Sequence, residues 1–147
     1  MFNISGFGLK VSMIASNTFP VGILLTNFSD DQNAIELPDI DIADTAGSVN
    51  GELVTWSKFA AVKLIMSVIP DSPTDLQLAV LLSANRVSKN KVAARDIFQC
   101  GVVQGNNNFG TFVNGVITSG PPFNTIQSSG RMSSKKYTFT FEQYYAI

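Results

Sequence analysis

Asp71-Ser72-Pro73-Thr74-Asp75-Leu76-Gln77-Leu78-Ala79-Val80-Leu81-Leu82-Ser83-Ala84-Asn85-Arg86 is the one stretch of the 147 residues that reads as a helix. Three features signal its start. Ser72 suits the N-cap, where a hydroxyl accepts a backbone N–H; Pro73 follows at the first helical position, where a missing N–H costs nothing; Asp75 lies near the positive end of the dipole. Leu76, Ala79, Val80 and Ser83 recur at helical spacing, Leu78, Leu81 and Leu82 widen the apolar stripe, and Arg86 suits the negative end. Such a helix is roughly 20 Å long, enough to cover one face of a small sheet.

Around it the chain alternates with a period of two. Leu9, Val11, Met13 and Ala15 share one side, the pattern of a half-buried strand, and Asn17-Thr18-Phe19-Pro20 turns the chain into a second strand over residues 21–28. After Asp30-Asp31-Gln32-Asn33, Ile35 and Leu37 take one face and Ile40 and Ile42 the opposite parity, which a bulge at Pro38-Asp39 would reconcile at a sheet edge. Residues 44–51, with two glycines, read as a loop excursion. Strands are expected at 52–57 and at 61–69, where Val62, Leu64, Met66 and Val68 alternate with Lys63 and Ser67. Beyond the helix, strands at 95–103 and 109–118 flank Gly105-Asn106-Asn107-Asn108, residues that tolerate positive φ. The last strand, 135–142, sets Tyr137, Phe139 and Phe141 on one face. About eight strands with hairpin-length connections and one helix give a mainly β fold, an antiparallel β-sandwich or barrel with one flanking α-helix, in a single domain over residues 1–147.

Charged residues make up 14% of the chain, against about 25% in an average domain. A surface so poor in charge points to one partly covered by neighbours, as in an obligate oligomer. The net charge of -1 hides a split: residues 1–52 carry seven acids and one base, net -6, and residues 53–147 four acids and nine bases, net +5. Two readings fit, solvated faces of one monomer or complementary edges that meet when copies stack head to tail. Cys100 is the only cysteine, so no intrachain disulfide can form, and its apolar surroundings indicate a buried thiol. The first residues lack the basic and apolar regions of a signal peptide and no apolar run approaches a bilayer span, so the expectation is a chain made and kept soluble in a cytoplasm, without membrane insertion.

The absence of histidine removes the commonest general base, the Ser-His-Asp and Cys-His pairs, and most zinc sites. Asp44-Thr45-Ala46-Gly47 lacks the glycine that the aspartic-protease loop has where Ala46 stands. Ser133-Ser134-Lys135-Lys136 matches Ser-x-x-Lys by spacing but sits at a strand entrance rather than on a helix. Asp39, Asp41 and Asp44 alternate with Ile40 and Ile42, a strand pattern, and lack the turn glycine and closing glutamate of a calcium loop. Gly6-Phe7-Gly8 opens a strand and is no phosphate loop. The segment 86–95, with Arg86, Lys89, Lys91 and Arg95, has no interleaved aromatics for base stacking and reads as a solvated face or a subunit contact. No catalytic residue, cofactor or metal is expected.

Several stretches, in order, resemble one family: Ser5-Gly6-Phe7-Gly8-Leu9, Ile42-Ala43-Asp44-Thr45-Ala46, Asn50-Gly51-Glu52-Leu53-Val54-Thr55-Trp56-Ser57-Lys58, Ala84-Asn85-Arg86-Val87, Asn114-Gly115-Val116-Ile117-Thr118-Ser119-Gly120-Pro121, and Gly130-Arg131 through Tyr137-Thr138-Phe139-Thr140-Phe141-Glu142. Together they look like the tail tube proteins of contractile-tailed bacteriophages. The resemblance implies a hexameric ring whose subunits lend strands to one β-barrel, rings stacked into the inner tube of a tail, and transient, non-specific passage of DNA through the lumen. It further implies a virion protein made in the host cytoplasm, with tail sheath, baseplate and tail terminator proteins as partners. The helix would then buttress the sheet away from the lumen through Leu76, Ala79 and Val80. Asp39, Asp41 and Asp44 would contact Lys89, Lys91 and Arg95 of a neighbour between subunits or rings. The rival reading is a monomeric β-sandwich module that binds carbohydrate or a receptor; a small hydrolase is third.

Overall fold

The computed structural model describes residues 8–29, 33–105, 107–124, 130 and 132–146, with the backbone alone at 107–109. Among the described residues nine strands and one helix follow in the order β1 (Leu9–Ala15), β2 (Phe19–Leu25), β3 (Ile35–Glu36), β4 (Ala43–Gly47), β5 (Leu53–Ser57), β6 (Val62–Val68), α1 (Pro73–Asn85), β7 (Phe98–Gln104), β8 (Asn107–Ser119) and β9 (Lys135–Ala146). Seven strands make one antiparallel sheet in the order β2-β1-β7-β8-β9-β6-β3, and β4 and β5 pair with each other as a separate two-stranded sheet. The fold is therefore mainly β and antiparallel with a single helix, sandwich-like and not closed into a barrel.

The period-two faces form the core as expected. Val11, Met13 and Ala15 of β1, Leu64, Met66 and Val68 of β6, and Tyr137, Phe139 and Phe141 of β9 are fully buried. The sheet curls far enough for Phe98 of β7 to meet Phe139 of β9 edge to face, ring centroids 5.2 Å apart, although β8 lies between those strands. Gly115 permits that curvature, because a Cβ there would lie 2.2 Å from the Phe141 ring. Asn114 beside it takes φ +56° where the β7–β8 register shifts. Cys100 lies in this core, and burial raises its thiol pKa far above the ordinary value.

The helix keeps its expected start: the Ser72 side chain accepts from the Asp75 N–H at 3.3 Å, and Pro73 opens the first turn. Its packed face differs from the expected one. Thr74, Asp75, Leu78 and Leu81 are buried, while Leu76 and Val80 stay 58% and 51% exposed. Apolar residues surround this helix, so spacing alone cannot choose a face; two polar anchors do. Thr74 Oγ1 donates to Asn27 Oδ1 at 3.0 Å and accepts from the N–H groups of Thr26 and Asn27, tying the first turn to the end of β2. Asp75 Oδ1 accepts from Lys135 Nζ at 3.0 Å and from the Tyr137 hydroxyl at 2.9 Å, and its Oδ2 accepts from the Asp71 N–H. Burial first, then the bond to Asp75 and its charge, hold the Tyr137 phenol well above its ordinary pKa.

Asp96, before β7, fastens the other end of the helix. It accepts from the N–H groups of Asn17 and Thr18, from the Thr18 hydroxyl and from the Asn85 amide, and its own N–H donates to Asn85 Oδ1. Burial pushes this carboxyl up, but the Thr18, Asn85 and backbone hydrogen bonds outweigh it and lower the pKa overall. Two further expectations change. The segment expected as a bulged strand pairs with β6 at Ile35–Glu36; among the described residues, 37–42 join no strand, although Ile42 O accepts from the Lys58 N–H at 3.0 Å. The expected loop excursion is strand β4, because the partner β5 supplies the pairing that Ala43-Asp44-Thr45-Ala46-Gly47 cannot earn by propensity.

Candidate assembly surface

The β4–β5 hairpin turns at Ser48 to Glu52, where the Ser48 N–H donates to Glu52 O at 2.8 Å and the Glu52 N–H to Ser48 Oγ at 2.9 Å. Gly51 supplies the left-handed φ of +81° the turn requires. The register sets Asp44 opposite Trp56 and Ala46 opposite Val54 on one face, and Thr45 opposite Thr55 and Gly47 opposite Leu53 on the other. Every β5 side chain is exposed, Trp56 at 49% and Leu53 at 71%, and Ile42, Val49 and Phe59 around it are exposed too. A lone two-stranded hairpin is marginal in water. Among the described residues this one leaves every β5 side chain exposed, with Val54 and Trp56 on one face and Leu53 on the other. An exposed ion pair, Lys58 to Asp44 at 3.1 Å, contributes at most about 1 kcal/mol.

A second feature lies where the curled sheet opens. A cleft of about 630 Å³ enters the core there, its apolar walls made by Leu9, Leu37, Val62, Val102 and Phe112, with Tyr145 at the mouth. The helix closes the region around Gly120 and Tyr137: a Cβ at Gly120 would meet Leu82 at 3.1 Å. The cleft has no such cover among the described residues.

The structure does not bring the expected contact residues together. Asp39 lines the cleft, Asp41 is exposed on the run into the hairpin, and Asp44 is engaged by Lys58. Lys89 and Arg95 are exposed on the segment after the helix, where Asn90 and Arg95 take positive φ. Lys91 donates its ammonium to Ser83 O, so it completes the helix C-terminus, the role sequence reasoning gave to Arg86. Leu53, Val54, Lys58 and Phe59 escaped the sequence reading, since five residues of alternation look the same on a core strand and on a projecting one. Of the Ser-x-x-Lys spacing, Lys136 is exposed, and the two intervening residues make packing contacts: Ser134 Oγ lies 2.9 Å from Ser29 Oγ, and Lys135 is held by Asp75. Among the described residues no three of His, Cys, Asp and Glu gather as a metal site, and no helix is long and apolar enough to cross a membrane.

A family model described as tail fiber protein gp32 matches residues 2–145. The fold is similar to that of the sheath/tube terminator of an extracellular contractile injection system, PVC, in the extended state, with TM-score 0.58 and 12% identity over 100% of this chain and 98% of that one. It is similar to the anti-feeding prophage cap, which terminates the AFP tube, with TM-score 0.58 and 12% identity over 100% and 92% of the two chains. A chain of the PVC sheath-tube complex in the extended state gives TM-score 0.55 and 14% identity over 99% and 93%. No curated protein matches.

Proposed function

The chain belongs to the tail fiber protein gp32 family, and from that premise we propose that six copies form a ring and that rings stack into the inner tube of a contractile tail. Family membership makes it a structural, tail-associated protein; the ring and the tube are the reading we add. One observation carries it: an exposed hairpin and, among the described residues, a cleft without a cover, surfaces that a neighbouring copy would fill. Among the described residues β2 and the two-residue β3 are the sheet edges and supply the second need for neighbours, because unpaired backbone groups at an edge are satisfied when sheets join in a ring.

In this reading tail sheath subunits surround the tube, baseplate and terminator proteins close its ends, and DNA slides through without sequence-specific contacts. The acids Asp39 and Asp41 approach Lys89 and Arg95 of another copy, with Asp44 and Lys91 already engaged within their own chain. A second reading, a single ring seated at the tube's end, is supported by the likeness to the terminator and the cap. Negative-stain microscopy of the purified chain separates the two: tubes support stacking and isolated rings support the terminal seat. Monomers at every concentration would exclude both and favour the binding-module alternative. Reversing the charges of Asp39 and Asp41 should abolish stacking, and unchanged tubes would remove these residues from the contact.

A further inference from the structure

Strand β9 is paired unevenly. On its β8 side the ladder runs to Ala146, opposite Gly110. On its β6 side it stops at Phe141, opposite Val62. Among the described residues, nothing pairs with that side of residues 142–146, which leaves a bare edge five residues long. Its residues are all exposed, and Tyr144, Tyr145 and Ala146 line the apolar cleft. A bare edge beside an apolar cavity has the chemistry of a strand acceptor: main-chain hydrogen bonds supply affinity, and alternate side chains fill the cavity.

The chain itself carries a strand of matching form. β5 is also five residues long, pairs among the described residues on one side only, with β4, and presents Val54 and Trp56 on one face. β4 is the poorer donor, since Ala43-Asp44-Thr45-Ala46-Gly47 offers no large apolar side chain. We propose that β5 of a second copy adds to the bare edge of β9 at residues 142–146, seating Trp56 and Val54 in the cleft and extending the seven-stranded sheet from one subunit into the next. The inference rests on the ring-forming reading and names the surface that receives the hairpin. It accounts together for an exposed hairpin, a ladder that ends halfway along β9, and an uncovered opening into the core.

The test mixes two variants. One chain carries Thr55→Cys, on the β5 face away from Trp56; the other carries Glu142→Cys, Tyr144→Cys or Ala146→Cys, on one face of the β9 edge. Assembled particles are treated with a short bismaleimide; Cys100 is buried and spared. Cross-linked dimer is expected with at least one of the three β9 positions, and none when the second chain carries Val116→Cys on β8. Rings or tubes that form normally but yield no dimer at any β9 position would overturn the inference and leave the ring reading standing. If the unaltered chain never assembles, the ring reading falls and this inference with it.

Discussion

Replacing Asp75 by alanine isolates a buried ion pair. The Asp75 and Lys135 side chains are 2% and 6% exposed, with Nζ 3.0 Å from Oδ1. The substitution leaves the ammonium without its counter-charge, at a cost of about 3–5 kcal/mol, and strips the Tyr137 hydroxyl of its acceptor, about 1–3 kcal/mol more if nothing replaces it. The two losses overlap, and a combined loss of about 4–5 kcal/mol is expected, a large share of the roughly 5–15 kcal/mol that holds a domain folded. Urea unfolding of the dissociated chain, followed by circular dichroism, measures it. The double variant Asp75→Leu with Lys135→Met removes both charges and should recover at least about 2 kcal/mol relative to Asp75→Ala. If Asp75→Ala costs less than about 1 kcal/mol, or the double variant is no more stable than the single, the pair does not anchor the helix as described.

Three other perturbations separate folding from assembly. Asp96 has a lowered folded pKa, so its stabilisation is complete above the ordinary carboxylate pKa of about 4 and is lost as pH falls through the lower folded value. Asp96→Asn should therefore be less stable by about 1–3 kcal/mol at pH 6, with a gap that narrows below about pH 4 in urea midpoints; a constant gap would contradict it. Gly115→Ala places a Cβ against the Phe141 ring and should destabilise by about 1–3 kcal/mol in the same assay, whereas an unchanged midpoint would show that the ring moves freely. Trp56 is 49% exposed and stands outside the core cluster, so Trp56→Ala should shift unfolding by less than about 0.5 kcal/mol while ring yield in sedimentation falls at least about tenfold. A destabilised monomer, or normal yield, would contradict the assignment of Trp56 to an interface.

The strands that build the core were legible because their alternation is long and strongly apolar. Leu9 to Ala15, Val62 to Val68 and Tyr137 to Phe141 each bury the side that the period predicts. The helix was legible in extent, since Ser72 and Pro73 are local signals, but its orientation depended on Thr74 reaching Asn27 and Asp75 reaching Lys135, partners 47 and 60 or so residues away. β4 was hidden for a related reason. Asp-Thr-Ala-Gly has the composition of a loop, and only cross-strand pairing with β5 makes it a strand. The same limit applies to the proposed assembly surface: the charge split and low charge content raised the expectation of neighbours beside that of two solvated faces, whereas the hairpin and the half-paired β9 appear only once register is known.

The most direct measurement is the mass of the native particle. The chain weighs 15.8 kDa, so a closed ring of six should appear near 95 kDa in native mass spectrometry, with higher species at multiples of that mass where rings stack. A spectrum holding only the 15.8 kDa monomer across the concentrations at which tails assemble would contradict the ring.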